Sequence, residues 1–430
     1  MNALPVYLET RLFNWIIVFF TLSLALFSFI SFDLYGLSVQ VVDISFVFAL
    51  AGVVSLASRA GYAVPKLRFR PVDLPIFFHL ALLSLFPILG YLFGIVSIVD
   101  YSASLRWALV LGVAALLLGW ADFFSRAEVA FARSLLLAGC LNVIYGTAML
   151  LEMLGLLPSA VFPHNNPTIV ELLNWKVDHF MRVPALFSGP NQLGWYALSV
   201  FILAIGFIYQ RSGSRLIWYW VAGLHLYLLF LSTSRTAVIA LFVVGFLFFS
   251  IFLRDIQFER VSRRLIITVF SLCFFLTSIF AVGNQFEVFR LDGLARAFAV
   301  LSGDLGGDGS FQDRLYYWRE ALDVFYSDFS PLGTMAAPTH FVGVIDSGWL
   351  SYFIQGGPIL VASFSLVLIF VTFYGFRKFY VEGSYIGLSL SCLAIALAVG
   401  QITLSPFHYL PVLFIFIFSL LFTVSEGSKE

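Results

Sequence analysis

The sequence predicts an all-α, polytopic integral membrane protein. It would have about twelve transmembrane helices and one large extracytoplasmic loop carrying an amphipathic helix. Three observations carry this expectation. Hydrophobic residues make up 61% of the 430 residues and charged ones only 11%, where a soluble domain carries about 25% charged residues. Apolar runs of roughly 18 residues or more, enough to span a bilayer, recur along the whole chain. One long polar passage, 284–357, interrupts them. The whole chain, 1–430, reads as a single transmembrane domain, and its formal net charge of zero says nothing about partners.

In order, the expected spans fall at 14–32, 37–58, 74–98, 105–124, 133–157, 189–210, 215–232, 236–253, 265–283, 346–374, 384–404 and 405–424. The first run resembles a signal sequence but lacks a small-residue cleavage pattern, so it reads as a retained span. The last two are separated only by Ser405, Pro406 and their neighbours. Lys and Arg set the orientation. With the N-terminus cytoplasmic, 16 of the 24 basic residues fall on the cytoplasmic side and the remaining 8 outside. Both termini are then cytoplasmic, and two larger loops, 158–188 and 284–345, face outward. No internal repeat of the kind built into many secondary transporters is visible. Cys140, Cys273 and Cys392 lie inside apolar runs and offer neither a disulfide framework nor a metal cluster.

The candidate chemistry lies on the outward side, where loops carry function on a scaffold held elsewhere. Arg235 sits in Ser232-Thr-Ser-Arg-Thr-Ala237, a turn of a few residues between the seventh and eighth spans. A charge at that depth is costly without a partner. It is either a snorkelling side chain or an anion clamp, since guanidinium offers a planar fork of donors suited to phosphate. Arg182 precedes Ser188-Gly-Pro-Asn191, where Asn191 would cap the sixth span and the helix N-terminus would offer N–H groups to an anion. In the long loop, Ser310 with Asp313 reads as a capping box. Phe311, Leu315, Trp318, Leu322 and Phe325 follow at helical spacing, a stripe expected to pack on the membrane domain. Arg314 and Trp318 are i, i+4 neighbours able to address one ligand. Arg319 follows them. Asp346 stands where the chain re-enters the bilayer, either as the N-cap of the tenth span or as a carboxylate open to a substrate hydroxyl. His340 is the histidine nearest to it, while His164 and His179 lie in the first outer loop. Trp175, Trp318 and Trp349 fit an interfacial belt or platforms for sugar rings. No metalloprotease, nucleotide-binding or serine-hydrolase motif is present.

Four of these pieces, in order over residues 182–357, resemble the superfamily of O-antigen polymerases and O-antigen ligases, the Wzy-type and WaaL-type glycosyltransferases of bacterial envelopes. They are Arg182 with Phe187-Ser-Gly-Pro-Asn191-Gln-Leu-Gly194; Ser232-Thr-Ser-Arg235-Thr-Ala; Ser310 with Arg314 and Trp318; and Asp346-Ser-Gly-Trp-Leu350 with Gly356-Gly357. The first 130 residues match only in hydropathy. Ligases of the superfamily carry a His where this chain has Asp346, which favours a polymerase.

The resemblance implies a GT-C-like membrane fold and metal-independent glycosyl transfer, without cofactor, at the outer face of the bacterial inner membrane. The substrates would be oligosaccharides on undecaprenyl pyrophosphate. The expected partners are those lipid-linked sugars, the bilayer and a chain-length regulator protein, with no nucleic acid. The candidate catalytic residues are Asp346, Arg235, Arg314 and His340. Arg182, Asn191, Arg319, Trp318 and Trp349 are candidates for binding pyrophosphate or glycan. Outward arginines can offset the charge developing on a pyrophosphate leaving group, and a carboxylate or imidazole can take the proton of the attacking hydroxyl. Two alternatives stand beside the polymerase. One is a ligase moving finished glycan to a lipid A core or a protein. The other is a transporter or flippase for an anionic lipid-linked substrate, which predicts polar residues and broken helices at mid-depth.

Overall fold

The computed structural model describes residues 3–26, 31–34, 37–59, 68–95, 101–121, 127–153, 156–157, 183–210, 214–254, 309–327, 331–336 and 346–426. The ninth expected span, Arg182, His164, His179, Trp175, Cys273 and His340 lie outside them. The described chain is helical. Its helices are α1 (Ala3–Leu26), α2 (Val41–Arg59), α3 (Asp73–Leu92), α4 (Tyr101–Gly119), α5 (Glu128–Met153), α6 (Pro190–Gln210), α7 (Arg215–Leu231), α8 (Arg235–Arg254), α9 (Gly309–Ser327), α10 (Gly348–Glu382), α11 (Tyr385–Gly400) and α12 (Leu410–Glu426). A 3-10 turn, Pro406–His408, precedes α12. Among the described residues, α3, α5, α6 and α10 are long and apolar enough to cross a membrane, and six further apolar helices are shorter.

One short element is not helical. Between α1 and α2 the chain forms a hairpin of strands β1 (Ser31–Leu34) and β2 (Leu37–Gln40), paired from Ser31 with Gln40 to Leu34 with Leu37. It claims the end of the first expected span and the start of the second. Its far strand leads into α2, where Asp43 accepts from the Gln40 N–H at 2.8 Å, the backward half of a capping box. Arg106, in the first turns of α4, grips both oxygens of Asp43 at 2.8 Å.

The helices alternate in direction. Arg68 N–H bonds Gly119 O, so α3 begins where α4 ends. Trp107 near the start of α4 lies 5.6 Å, ring to ring, from His408 just before α12. The starts of α4 and α12 therefore share one end of the bundle. At the opposite end Glu128 accepts from Ser214 and Trp218, and Gln210 accepts from the Tyr385 N–H. Helix α12 is buried on every side from Val412 to Val424, as a largely apolar central helix should be, and its Ser419 and Thr423 hydroxyls donate to carbonyls of the preceding turn. Its Phe414 and Phe418 meet Phe20 of α1, and Phe418 and Phe422 meet Phe131 of α5. Other helices turn apolar rows outward, among them Phe242, Phe246 and Phe249 on α8 and Leu366, Ile369, Phe370 and Phe373 on α10. Such rows at helical spacing are lipid-facing surface.

The tenth expected span, 346–374, is bent. Gly356 and Gly357 leave helical geometry, with Gly357 at φ 58° and ψ −158°, a region that side chains exclude. Tyr352 and Phe364 are twelve residues apart, which a straight helix would separate by about 18 Å. Their rings lie 5.0 Å apart, and those of Trp349 and Phe364 5.2 Å apart. Helix α10 therefore folds into a short arm, Gly348 to Gln355, and a long one that begins at Pro358.

Candidate functional site

Two groups of residues build the site, and both lie at the end of the bundle where α6, α8 and α10 begin. The first group centres on the turn between α7 and α8. Ser232 stops α7 by donating to Leu229 O and accepts from the Ser234 N–H, while Thr233 takes φ 48°. Ser234 then donates to Asn191 Oδ1 at 3.2 Å, and Trp195 Nε1 donates to Thr236 Oγ1 at 3.2 Å. The starts of α6 and α8 are thereby pinned together, with half-buried Asn191 and Arg235 between them. Gly194 makes the approach possible, because a Cβ there would collide with Ser232 and Ser234. Two helix N-termini with an arginine at their meeting point favour an anion through their aligned N–H groups and dipoles. The segment leading into α6 is buried at Val183, Ala185 and Phe187. Asn142 of α5 anchors it by accepting from Leu186 N–H while donating to Ala25 O and Ala138 O. Sequence reasoning missed Asn142; its one signal was a lone amide inside an apolar run.

The second group joins α9, α10 and α11. Arg314 Nε donates to Asp346 Oδ2 at 2.8 Å, with the two side chains 26% and 33% exposed. No other acceptor meets the Arg314 guanidinium among the described residues. Asp346 is not the cap of α10. Ser347 is: it takes extended backbone angles, and its Oγ accepts from Leu350 N–H. Adjacent Asp and Ser are equally able to cap, and the Arg314 pair takes the carboxylate out of that role. The N-terminus of α10 is itself occupied. The Gln401 carbonyl accepts from Gly348 N–H at 2.9 Å, Trp349 N–H at 3.2 Å and Ser347 Oγ at 3.3 Å. Helix α11 therefore ends directly on the start of α10, with opposed poles in contact.

Helix α9 meets the short arm through Tyr317 and Ala321 against Leu350 and Ile354. That edge is turned from the expected stripe, of which Leu315, Trp318 and Leu322 are half-buried. The side chains of Phe311 and Phe325 lie outside the described set. The rotation follows from Arg314, which shares the contacting edge and fixes it by its bond to Asp346. Trp318 lies one turn along from Arg314. Arg319 is exposed and sits about 140° around the helix from Arg314. Trp349 turns inward and donates Nε1–H to Ala398 O.

After α9 the chain returns as a strap, Pro331 to Ala336. Thr334 N–H and Met335 N–H bond the Ile354 and Gln355 carbonyls that the α10 bend frees. The carbonyl of Pro331 lies where a Cβ of Gly357 would be. The two groups touch through α11, because the Trp195 ring rests on Gly400, next to Gln401. Among the described residues no group of His, Cys, Asp and Glu has the placement to hold a metal ion. No family model matches the chain, and no curated protein matches its sequence.

Proposed function

We propose that the protein is a metal-independent membrane glycosyltransferase. It joins undecaprenyl-pyrophosphate-linked oligosaccharide units into polysaccharide at the outer face of the bacterial inner membrane. The observation that carries the reading is the Arg314–Asp346 pair. It couples the polar loop helix to the membrane domain at the same end as Arg235 and Asn191. The motif resemblance supports the substrate class, and Asp346 in place of the ligase histidine favours polymerisation over ligation.

In this reading the donor pyrophosphate lies between the α6 and α8 N-termini and is held by Arg235. The acceptor hydroxyl attacks the anomeric carbon of the donor. The bond from that carbon to the pyrophosphate oxygen breaks, and its electron pair departs with the lipid carrier. Arg314 offsets the charge that develops there, and Asp346 takes the hydroxyl proton. The transporter alternative calls for open, broken helices lining a path. Here the bend in α10 has its freed carbonyls bonded by the strap, which fits a fixed site better than a moving gate.

Polymer-ladder formation from purified lipid-linked units tests the reading. Arg235→Ala is expected to lower activity by about 10²-fold or more, the scale of losing one oxyanion-type donor. Arg235→Lys restores part of it, since an ammonium is a point charge without the fork. A full ladder from well-inserted Arg235→Ala protein would remove the residue from the site.

A further inference from the structure

Behind the short arm of α10 lies a second polar cluster that the proposed chemistry does not use. His79 of α3, Tyr352 of the short arm and Gln401 after α11 are all fully buried. His79 Nδ1 lies 2.9 Å from Ser363 Oγ. Ser363 commits its one proton to Leu360 O at 2.8 Å, so in the neutral ring Nδ1 is the donor and Nε2 a bare acceptor. Nε2 has no partner among the described residues, and neither do the Tyr352 hydroxyl or the Gln401 Oε1 and Nε2. The rings of His79 and Tyr352 pack edge to face at 5.1 Å. The Tyr352 hydroxyl lies beside the Gln401 amide without the geometry of a hydrogen bond. Phe364 and Phe407 close the cluster around His79.

Buried polar atoms in native proteins are paired with protein or ordered water. This set is complementary to water in kind, with a bare imidazole nitrogen and an amide oxygen to receive hydrogens and a phenol and an amide N–H to give them. A bound water makes about three such bonds in a polar cavity. We propose that His79, Tyr352 and Gln401 enclose an internal water site that braces the short arm of α10 against α3 and α11. Gln401 is its keystone. Its carbonyl holds the start of the arm, and its side chain lies against Gly348 and faces the water. The inference stands whatever group the neighbouring site transfers.

Two measurements on the full-length protein in nanodiscs decide it, neither of which reads activity. Hydroxyl radicals generated in place by X-ray radiolysis label side chains beside bound water even when bulk solvent is excluded. Tyr352 is expected to label several-fold faster than the equally buried Phe364. The second measurement is the sign of a stability change. If the hydroxyl is dry, Tyr352→Phe removes an unpaired polar atom and leaves the unfolding midpoint unchanged or raised. If it bonds water, the same change lowers the midpoint by roughly 2 °C, the shift for about 1 kcal/mol in a protein of this size class. Labelling together with a lowered midpoint supports the site. Absence of labelling overturns it whichever way the midpoint moves, since a lowered midpoint alone would mean direct pairing of Tyr352 with Gln401. Labelling with an unchanged or raised midpoint would overturn the bracing role.

Discussion

At the scale of single residues, Asp346 and Ser347 divide two tasks that their neighbouring positions could have exchanged. Ser347 holds the helix start and Asp346 faces Arg314. Their substitutions should therefore give opposite signatures. Ser347→Ala removes a cap worth about 1 kcal/mol and should lower stability while leaving the polymer ladder largely intact. Asp346→Asn breaks a half-exposed ion pair worth roughly 0–1 kcal/mol, so stability should barely change. Its activity should fall about 10²-fold if the carboxylate accepts the acceptor proton. Thermal unfolding and ladder assays on both variants check the division, and the reverse pattern would return Asp346 to the role of a cap. Adjacent residues of like capping power are where sequence reasoning loses a residue, because the choice depends on a guanidinium 32 positions away. The pairing of Asn191 with the turn before Arg235 was half legible, since both lay in motifs. Gln401 was not legible. A glutamine at the end of an apolar run carries no motif, and its importance comes from where α11 happens to stop.

At the scale of elements, the apolar runs announced the helices well. They hid two features that depend on local geometry. The hairpin before α2 was lost because a short strand buried in an apolar run has no helical period to break. The bend in α10 was signalled by Gly356-Gly357-Pro358, a recognised breaker sequence, yet hydropathy continues through it and reads as one span. Its strictness can be measured. Gly357 holds φ 58° against the Pro331 carbonyl, so Gly357→Ala should cost on the order of 1–3 kcal/mol and release the strap. Limited proteolysis should then cut within 331–336 far faster than in the parent, while an unchanged cleavage rate would show that the bend tolerates a side chain. Gly357→Ala should also weaken the docking of α9, whose chain runs directly into the strap.

For the whole molecule, the alternating helix directions give every candidate site residue within the described set a common end. The charge asymmetry of the sequence expects that end to face out. A reporter fused after Ser327 should read as extracytoplasmic and one after Gly383 as cytoplasmic. Opposite signals at either position would turn the bundle over and with it the proposed substrate. The bidentate Asp43–Arg106 pair lies at the start of α2 and α4. This acid is therefore matched by a base where the two helices begin.

The strap over α10 is attached by its backbone. Thr334 and Met335 reach Ile354 and Gln355 through main-chain N–H groups, and among its residues Gly333, at φ 67°, is held to glycine by geometry. Thr334 adds its hydroxyl to the same anchor, donating to Ile354 O at 3.1 Å, and Met335 and Ala336 are buried. Descendants of this chain can therefore vary the exposed side chain of Pro331 more freely than the buried end of the strap, while the hinge beneath stays as it is. For the engineer this makes 331–336 a mooring to be kept whole: a foreign loop grafted there would have to retain Gly333, the Thr334 hydroxyl and the buried Met335 and Ala336.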